Sequence, residues 1–298
     1  MSASIIDGRK VAALVRESVK KDVDHWIGEG NRAPKLQVIL VGENPASGTY
    51  VSAKTKACLE VGIDSDTLRL PDTISEKELR SIIRRFNHDH SVDGILVQLP
   101  LPPHIPELAV IEAIDHRKDI DGFHPMNMGR LAVGQPAFRS CTPAGIEELL
   151  SYYSIPTKGK HAVVVGASNI VGTPMALMLS REKDTDTGKA TTTICHRYTR
   201  DLTKYTIDAD ILVVAVGSPG VITGQMVKDG VVVIDVGINR VADNRKEKGY
   251  SLVGDCEFDT VSEKASWITP VPGGVGPMTV AMLMKNTLLA AKQSIYPE

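Results

Sequence analysis

The chain has 298 residues, and its 34 Lys and Arg residues nearly balance 36 Asp and Glu residues, for a formal net charge of −2. At roughly 100–200 residues per domain this length predicts two domains, and the balanced charge argues against a nucleic-acid-binding protein, which usually carries a strong basic excess. The N-terminal sequence is a poor match to a secretory signal or a transit peptide, so neither is expected. No apolar run reaches the roughly 18 residues of a membrane span. The four scattered cysteines predict reduced thiols in a cytoplasmic protein.

Short apolar segments alternate with longer amphipathic ones along the chain. Amphipathic helices are predicted over Lys10–Glu29 and Ser75–Asn87. Six apolar runs predict strands: Leu36–Val41, Gly94–Leu99, Ala162–Val165, Thr191–Cys195, Ile211–Val216 and Val231–Val236. Most of these runs lack polar residues, which is typical of a parallel sheet covered by helices on both faces. The predicted fold class is α/β with doubly wound character.

A domain boundary is predicted near Gln135–Thr142, where the chain leaves the first set of strands. Thr142 and Pro143 suit the start of a helix, as its cap and its first helical residue. A last apolar helix is predicted from about Thr279 to Gln293. The polar stretches at residues 181–190 and 243–249 are predicted to be surface loops.

The segment Val163–Met175 has features of a phosphate-binding turn between a strand and a helix. Gly166 ends the strand and Gly172 opens the helix, where glycines let a phosphate approach N–H groups at the positive helix end. The usual G-x-G-x-x-G pattern is not matched, because Ser168 stands at its middle glycine and the last glycine comes one residue late. A plain strand-to-helix turn is the alternative.

The next strand ends in Cys195-His196-Arg197, without the acidic residue that usually binds a free ribose 2′-hydroxyl. Arg197 could bind a 2′-phosphate through a bidentate, charge-assisted contact, which favours NADP over NAD. An ordinary surface arginine is the alternative. Gly217 and Gly237 follow two later strands, where an open α/β sheet has its ligand crevice, although each could equally mark a simple turn.

A lysine stands on the apolar face of the helix predicted around Tyr50. The helical spacing turns Lys54 inward and Lys56 toward solvent. Because lysine is rarely buried without a partner, Lys54 either extends its amine to the edge of the apolar surface or is desolvated. A desolvated lysine loses its proton more easily and suits proton transfer. Tyr50 lies one turn earlier, where its ring could stack on a planar substrate.

Polar residues follow the strand predicted over Gly94–Leu99. Gln98 falls at the end of the sheet where the Lys54 helix starts, although its amide could equally be satisfied by the backbone. Further on, one of Asp119 and Asp121 is expected to stabilise the turn at Gly122. The other could bind N–H groups of a heterocycle, and the residues alone do not distinguish the two.

A loop rich in glycine and proline, Thr269–Thr279, leads into the last predicted helix. Backbone donors exposed at a helix start could hold an anionic or carbonyl group. Elsewhere the histidines are scattered, no His, Asp or Glu group has metal-ligand spacing, and neither Ser nor Cys stands in a nucleophile elbow. No metal is therefore expected.

These segments together resemble the methylenetetrahydrofolate dehydrogenase/methenyltetrahydrofolate cyclohydrolase family, the bifunctional folate enzymes known as FolD. The resemblance extends from Ile5 to about Ala291. It rests on four motifs in order: Tyr50-Val51-x-x-Lys54-x-Lys56-Ala57-Cys58, Gly94-Ile95-Leu96-Val97-Gln98-Leu99-Pro100, Lys118-Asp119-Ile120-Asp121-Gly122, and Pro270-Val271-Pro272-Gly273-Gly274-Val275-Gly276-Pro277-Met278-Thr279.

The resemblance implies NADP-dependent oxidation of 5,10-methylenetetrahydrofolate, then hydrolysis of the methenyl product to 10-formyltetrahydrofolate, in one-carbon metabolism and purine biosynthesis. It also implies four catalytic residues: Lys54 handles protons, Tyr50 stacks on the aminobenzoyl ring, Gln98 tunes the lysine and Asp121 holds the pterin. The substrate contacts that it implies are Tyr50, Lys54, Val97, Gln98, Leu99, Asp121, Pro272, Gly273, Gly274, Val275 and Gly276.

The resemblance further implies two domains with a cleft between them. Residues 1–140 and 277–298 would form the catalytic domain, because the family's last helix returns to it, and residues 141–276 the Rossmann-like NADP-binding domain. The expected cofactor contacts are Gly166, Ala167, Ser168, Val171, Gly172, His196, Arg197, Gly217, Gly237 and Ile238. Many eukaryotic members have arginine in place of Ala167, whereas bacterial-type members have alanine there and arginine at Arg197, so the 2′-phosphate contact is expected at Arg197.

Family members are commonly homodimers, and a homodimer is expected here. The stretch at residues 181–190 is longer than usual in the family. Three alternatives remain on the sequence: a folate dehydrogenase without the hydrolytic step, another NADP-dependent dehydrogenase of this architecture such as a shikimate or amino-acid dehydrogenase, and a non-catalytic nucleotide-binding protein.

Overall fold

The computed structural model describes residues 3–43, 45–181, 187–246 and 249–297, and within them every side chain except those of residues 45–47, 49 and 50. Contacts along the chain divide it into two compact units. Unit 1 comprises Met1–Ala12 and Thr142–Thr279, and unit 2 comprises Ala13–Cys141 and Val280–Glu298. Part of the polar stretch at residues 181–190, and part of that at residues 243–249, lie outside the described residues.

Unit 1 contains a six-stranded parallel sheet in the order β1-β11-β8-β7-β5-β6. Its strands are β1 (Ser4–Ile5), β5 (His161–Val165), β6 (Thr191–Cys195), β7 (Ile211–Val214), β8 (Val232–Asp235) and β11 (Trp267–Ile268). Four of the six predicted strands lie in this sheet, as β5, β6, β7 and β8. β7 and β8 are buried along their whole length, as expected for a sheet covered on both faces, and the doubly wound α/β prediction is confirmed.

The neighbours of β5 identify the place where a ligand crevice is expected. The chain passes from β5 to β6 on one side, and β7 then lies on the other side of β5. In an open α/β sheet such a reversal leaves a crevice at the carboxyl ends of the strands. The helices of this part of the chain are α6 (Cys141–Tyr152), α7 (Gly172–Ser180), α8 (Thr203–Thr206) and α9 (Phe258–Ser262), with a 3₁₀ turn at Gly224–Met226.

The N-terminal residues belong to unit 1, so unit 2 starts twelve residues later than the expected catalytic domain, which begins at residue 1. The reason is β1, which pairs in parallel with β11 at the edge of the large sheet. Two strand residues give too short a pattern to be recognised. The unit boundaries fall after Cys141 and Thr279, one and three residues beyond the predicted positions.

An antiparallel hairpin of β9 (Asn239–Ala242) and β10 (Tyr250–Val253) was not predicted. It flanks the polar stretch that begins at Asp243. Its exposed, partly charged strands lack the apolar run used to identify the other strands, because neither face of β9 is buried.

Unit 2 contains a three-stranded parallel sheet in the order β3-β2-β4. The strands are β2 (Lys35–Val41), β3 (Asp64–Leu70) and β4 (Gly94–Val97). The edge strand β3 was missed because its sequence, DSDTLRL, is mostly polar and its side chains are partly or fully exposed. Side chains of β2 and β4, such as Ile39 and Ile95, pack with the helix residues Leu79 and Ile83 in one apolar core.

The helices that complete the described fold are α1 (Gly8–Gly28), α2 (Pro45–Glu60), α3 (Glu76–His88), α4 (Glu107–Ile111), α5 (Pro125–Val133) and α10 (Val275–Ala291). α3 begins after Ser75, whose side chain accepts from the Glu78 N–H while the Glu78 carboxylate accepts from the Ser75 N–H. α10 begins four residues before its predicted start, inside the glycine-rich loop. Within the described ranges, no helix is both long and apolar enough to cross a membrane.

Candidate active site

Lys54 and Gln98 meet at the carboxyl ends of two adjacent strands of unit 2. Lys54 Nζ donates a hydrogen bond to Gln98 Oε1 at 3.1 Å. The other end of the amide is fixed as well, because Gln98 Nε2 donates to the Leu99 carbonyl at 2.7 Å. Gln98 N donates to the Ile39 carbonyl at 2.9 Å, which extends the sheet pairing by one residue beyond β4. The glutamine therefore presents its oxygen to the lysine.

The helix α2 turns one apolar face inward, as its spacing predicts. Val51, Ala57 and Cys58 are buried, Lys54 is half-buried among them, and Lys56 is exposed. Burial raises the pKa of the Cys58 thiol to about 12, against the opposing effect of the Lys54 ammonium. The Cys58 thiol is thus neutral and packs as part of the buried apolar face of α2.

Asp121 is the second ionisable group near Lys54. Burial raises the pKa of its carboxyl to about 6, while the Lys54 ammonium lowers it and the Asp119 carboxylate raises it. Among the described residues, none makes a hydrogen bond with the Asp121 side chain. A half-buried carboxyl with unused acceptor capacity is suited to accept N–H groups from a ligand.

Asp119 stabilises the turn that precedes α5. Its Oδ2 accepts hydrogen bonds from the His124 N–H and from Asn127 Nδ2, each at 2.8 Å. Its carboxyl is fully buried, and burial raises its pKa despite these donors and the N–H groups of Gly122 and Phe123. The expected turn residue of the pair is therefore Asp119, which leaves Asp121 available to a ligand.

Two buried asparagines that the sequence did not reveal join the chain just before Asp121 to distant parts of unit 2. Asn286 Nδ2, from α10, donates to the carbonyl of Ile120 at 2.8 Å and to that of Arg139 at 3.1 Å. Asn127 Oδ1 accepts from the Phe138 N–H at 3.1 Å and from the hydroxyl of Tyr296 at 2.6 Å. Nothing in the local pattern predicts these contacts, which join distant parts of the sequence.

The remaining predicted substrate residues are distributed between both units. Val97 is buried at the end of β4 and Leu99 is half-buried after it. Pro272, Gly273, Gly274, Val275 and Gly276 lie in unit 1, at the turn before α10 and in its first residues. Tyr50 lies in α2, but its side chain is outside the described residues.

The turn after β5 has the shape that a phosphate-binding loop needs. A Cβ atom at Gly172 would collide with the Gly166 carbonyl, and one at Gly166 would collide with the Ala215 carbonyl, so both glycines are required by close packing. Ser168 Oγ accepts from the Val171 N–H at 3.2 Å and the Gly172 N–H at 3.4 Å. The serine that breaks the glycine pattern therefore stabilises the start of α7.

Exposed backbone donors remain in that turn. Residues 167–170 are exposed, and within the described part of the chain the N–H groups of Ala167 and Ser168 have no hydrogen-bond acceptor. β6 ends beside this turn, since Val165 pairs with Cys195 in the sheet register. The residues present therefore fit the phosphates of a dinucleotide at the helix end.

His196 and Arg197 follow β6 in an exposed turn. The His196 N–H donates to Thr199 Oγ1 at 2.9 Å, and the guanidinium of Arg197 lies 4.8 Å from the centre of the Tyr198 ring. In the described residues Arg197 has no carboxylate partner, so its five donors are available to an anion. A second arginine in unit 1, Arg240, stacks on Tyr250 at the same distance.

The backbone donors around Gly217 are already used inside the protein. The N–H groups of Val216, Gly217 and Ser218 all donate to the buried carboxylate of Asp255, at 2.7, 3.0 and 3.0 Å. A Cβ atom at Gly237 would collide with the same carboxylate. Gly237 is therefore required by close packing, and Gly217 by its positive φ of 70°. Asp255 is a residue that sequence reasoning missed.

Ile238 is exposed, and its Cδ1 lies 3.4 Å from the position that a Cβ atom at Gly276 would take. Two hydrogen bonds fix the turn before α10. Thr269 Oγ1 accepts from the Asp235 N–H at 2.7 Å, and Gly274 N donates to the Pro270 carbonyl at 2.8 Å. Over the described residues, no group of three or more His, Cys, Asp and Glu side chains could hold a metal ion.

Comparison with known protein families places both halves of the chain. Residues 6–121 match the model of the tetrahydrofolate dehydrogenase/cyclohydrolase catalytic domain, and residues 140–295 match that of the NAD(P)-binding domain of the same family. The chain belongs to the tetrahydrofolate dehydrogenase/cyclohydrolase family. The family resemblance predicted from the sequence is confirmed, as are the enzyme class and the use of NADP.

Similar proteins cover essentially the whole chain. "Bifunctional protein FolD" of Phocaeicola vulgatus is 50% identical over 292 residues, which are 98% of this chain and 99% of that protein. The Nitratiruptor protein of the same name is 52% identical over 289 residues, 97% of this chain and 98% of that one.

Solved structures agree with this assignment. The Campylobacter jejuni FolD structure matches with a TM-score of 0.90 and 48% identity, covering 98% of this chain and 100% of that one. The Trypanosoma brucei FolD, which was solved with NADP and an inhibitor, matches with a TM-score of 0.92 and 38% identity over 100% of both chains.

Proposed function

We propose that this enzyme oxidises 5,10-methylenetetrahydrofolate with NADP⁺ and hydrolyses the resulting methenyl compound to 10-formyltetrahydrofolate, with Lys54, Gln98 and Asp121 in its active site. The observation that carries the proposal is the 3.1 Å hydrogen bond from Lys54 to the fixed amide of Gln98, close to an Asp121 carboxyl without a partner in the described chain. A plain nucleotide-binding domain has no need of a half-buried lysine held in this way.

Lys54 moves the protons of the hydrolytic step. Water adds to the methenyl carbon and loses one proton to Lys54 Nζ. The same amine returns a proton to the leaving nitrogen as the carbon–nitrogen bond breaks, and the hydroxyl proton of the adduct is released to solvent as the formyl C=O forms. Gln98 orients the amine through its oxygen. Asp121 accepts N–H groups of the pterin and so holds the reacting carbon near the lysine, while Tyr50 is proposed to stack on the aminobenzoyl ring.

The dehydrogenase step needs the folate and the dinucleotide to be aligned. Bound NADP⁺ supplies the acceptor for the hydride that leaves the methylene carbon. The exposed turn at residues 167–170 would hold its phosphates, and Arg197 would bind the 2′-phosphate as a bidentate partner. The further residues proposed around it are Gly166, Val171, Gly172, His196, Gly217, Gly237 and Ile238, and Pro272–Gly276 are proposed to contact the folate.

We also propose that unit 2, which includes Val280–Glu298, is the catalytic domain and unit 1 the NADP-binding domain. The free, buried cysteines are compatible with a cytoplasmic enzyme, where its product would supply purine biosynthesis. A homodimer is proposed because β9 and β10 pair only with each other among the described strands and Val241 is 40% exposed, which leaves an edge that a second chain can cover.

One progress curve tests the function. The protein is mixed with 5,10-methylenetetrahydrofolate and either NADP⁺ or NAD⁺, while reduced nicotinamide and methenyltetrahydrofolate are followed together. We expect reduced NADP to form without accumulation of the methenyl compound. Methenyl product accumulating one for one with reduced cofactor would identify a dehydrogenase alone and contradict the role of Lys54, and no reaction with either nucleotide would refute the folate assignment.

A further inference from the structure

Asp255 is a buried carboxylate to which no step of the proposed reaction assigns a role. Its exposed fraction is 0%, and it lies after β10 in unit 1. A charged carboxylate is costly to bury unless donors surround it. The donors that surround it here come from a loop proposed to face the cofactor.

Three successive backbone N–H groups converge on this carboxylate. Oδ2 accepts from Val216 at 2.7 Å and from Gly217 at 3.0 Å, and Oδ1 accepts from Ser218 at 3.0 Å. Asn239 Nδ2 adds a fourth donor to Oδ1 at 2.8 Å. Consecutive N–H groups that point to one side form a concave anion site, and in this protein a side chain of the chain itself occupies it.

A second carboxylate, that of Asp235, accepts a hydrogen bond from the backbone of Asp255. Asp235 Oδ1 accepts from the N–H groups of Gly237 at 3.0 Å and of Asp255 at 2.9 Å, and Oδ2 accepts from Cys256 N at 2.9 Å. A Cβ atom at Gly254 would collide with the Asp235 carboxylate. The two aspartates thus join three segments, residues 216–218, 237–239 and 254–256, at the carboxyl ends of β7 and β8.

The loop that Asp255 holds forms one side of the expected crevice. Residues 215–218 follow β7, and the turn that begins at Gly166 follows β5 next to it. The two turns touch, because a Cβ atom at Gly166 would collide with the Ala215 carbonyl. Any shift of the β7 loop therefore changes the space beside the phosphate-binding turn.

We propose that Asp255 is a positioning residue for the dinucleotide: its carboxylate keeps residues 216–218 in the conformation that NADP binding requires. The proposal rests on the proposed function of unit 1 as the NADP-binding domain. Since Asp255 is fully buried, it acts through the loop. The hydrolytic residues Lys54, Gln98 and Asp121 belong to unit 2, so hydrolysis of added methenyltetrahydrofolate serves as an internal reference.

The substitution Asp255→Asn tests this role with little change of volume. Each Asp255 oxygen accepts two hydrogen bonds. In either orientation the asparagine amide therefore directs its NH₂ group at two N–H donors, which then have no acceptor. We expect the dissociation constant for NADPH, measured by titration calorimetry, to rise about tenfold or more, because hydrogen bonds to a charged group are lost and replaced by contacts between donors. Hydrolysis of added methenyltetrahydrofolate should stay within about twofold of the wild type, because the hydrolytic residues belong to unit 2 and do not contact Asp255.

Asp259→Asn is the matched control, since Asp259 is an exposed acid four residues further along. It should leave both readouts unchanged. If Asp255→Asn does not fold, NADPH binding and hydrolysis are measured in Asn239→Ala instead. We expect a smaller rise in the dissociation constant for NADPH, because this variant removes one of the four donors to Asp255 and leaves the three backbone hydrogen bonds.

Unchanged NADPH binding in the variant, or equal loss of binding and hydrolysis, would overturn the proposal. Wild-type protein that neither binds NADPH nor hydrolyses the methenyl compound would instead refute the proposed function. The two failures are therefore distinguishable.

Discussion

Lys54 Nζ and Gln98 Oε1 lie 3.1 Å apart although 44 residues separate them in the sequence. The parallel pairing of β2 with β4 brings them together, because α2 follows the carboxyl end of β2 and Gln98 follows that of β4. The second amide atom of Gln98 is occupied by the Leu99 carbonyl, which leaves the oxygen to face the lysine. The pairing of these two strands therefore fixes the position of the Lys54 amine.

Lys54→Met should abolish the hydrolytic step and spare folding. Removing a general acid–base group costs about 10²–10⁴-fold in rate, so we expect a loss of that size in the decay of added methenyltetrahydrofolate, with reduced NADP still formed. Lys56→Met, on the exposed side of the same helix, is the control and should hydrolyse normally. A Lys54→Met enzyme with full hydrolytic activity would show that another group moves the protons.

Folate binding should weaken in acid because of Asp121. Burial raises the pKa of this carboxyl from 3.8 to about 6, so it is ionised above that pH and neutral below it. A neutral carboxyl is a poorer acceptor for the pterin N–H groups. We expect KM for 5,10-methylenetetrahydrofolate to rise as the pH falls from 7 to 5. In Asp121→Asn, KM should be high and independent of pH in this range; a wild-type-like profile would exclude Asp121 from substrate binding.

The same pKa shift predicts how stability changes with pH. The unfolded chain releases the Asp121 proton near 3.8 and the folded chain near 6, so the stabilising contribution is complete below 3.8 and is lost as the pH rises through 6. Asp121→Asn cannot ionise, and urea unfolding at pH 7 should show it to be more stable than the wild type by an amount on the order of 1–3 kcal/mol. The difference should shrink to below about 1 kcal/mol at pH 4 and vanish near pH 3. Asp22→Asn, an exposed position on α1, should show no such dependence.

Arg197 should determine the preference for NADP. Arg197→Ala is expected to raise KM for NADP⁺ by about 10-fold or more, since a charge-assisted hydrogen-bonded contact is worth about 1.5–3 kcal/mol, and to leave KM for NAD⁺ unchanged. Arg240→Ala is the matched control, because both arginines stack on a tyrosine of unit 1 at 4.8 Å. Equal effects on the two nucleotides would mean that Arg197 does not contact the 2′-phosphate.

The turn after β5 should tolerate no side chain at Gly172. In Gly172→Ala the new Cβ would collide with the Gly166 carbonyl, so NADPH binding should be lost while unit 2 still hydrolyses methenyltetrahydrofolate. Gly129→Ala is the comparison: this glycine is exposed within α5 and nothing lies within 4 Å of the added atom. Replacing such a helical glycine should stabilise the protein by about 0.5–1 kcal/mol in thermal or urea unfolding. Normal NADPH affinity in Gly172→Ala would show that the turn can rearrange.

Local patterns were sufficient for the central strands and for the inward lysine. The runs that became β2, β4, β5, β7 and β8 are apolar because almost all of their side chains are buried, and helical spacing alone separated Lys54 from Lys56. β6 was also predicted, although it lies at the edge of its sheet and most of its side chains are partly or fully exposed. Strands β1, β3, β9, β10 and β11 were missed because they are very short or lie at exposed edges, where the physical requirement for an apolar run is absent.

The sequence by itself determined the α/β class, the family, and which segments carry the glycines and the inward-facing lysine, since these depend on neighbouring residues in the chain. The tertiary structure showed that Asp119 is the turn residue, a choice that local patterns left open and that the family resemblance had only implied, because the donors to Asp119 come from the turn and from Asn127. It alone placed Asp255 against Gly217, 38 residues away. A buried carboxylate is stabilised by donors that converge in space, and separation along the chain carries no signal of that convergence.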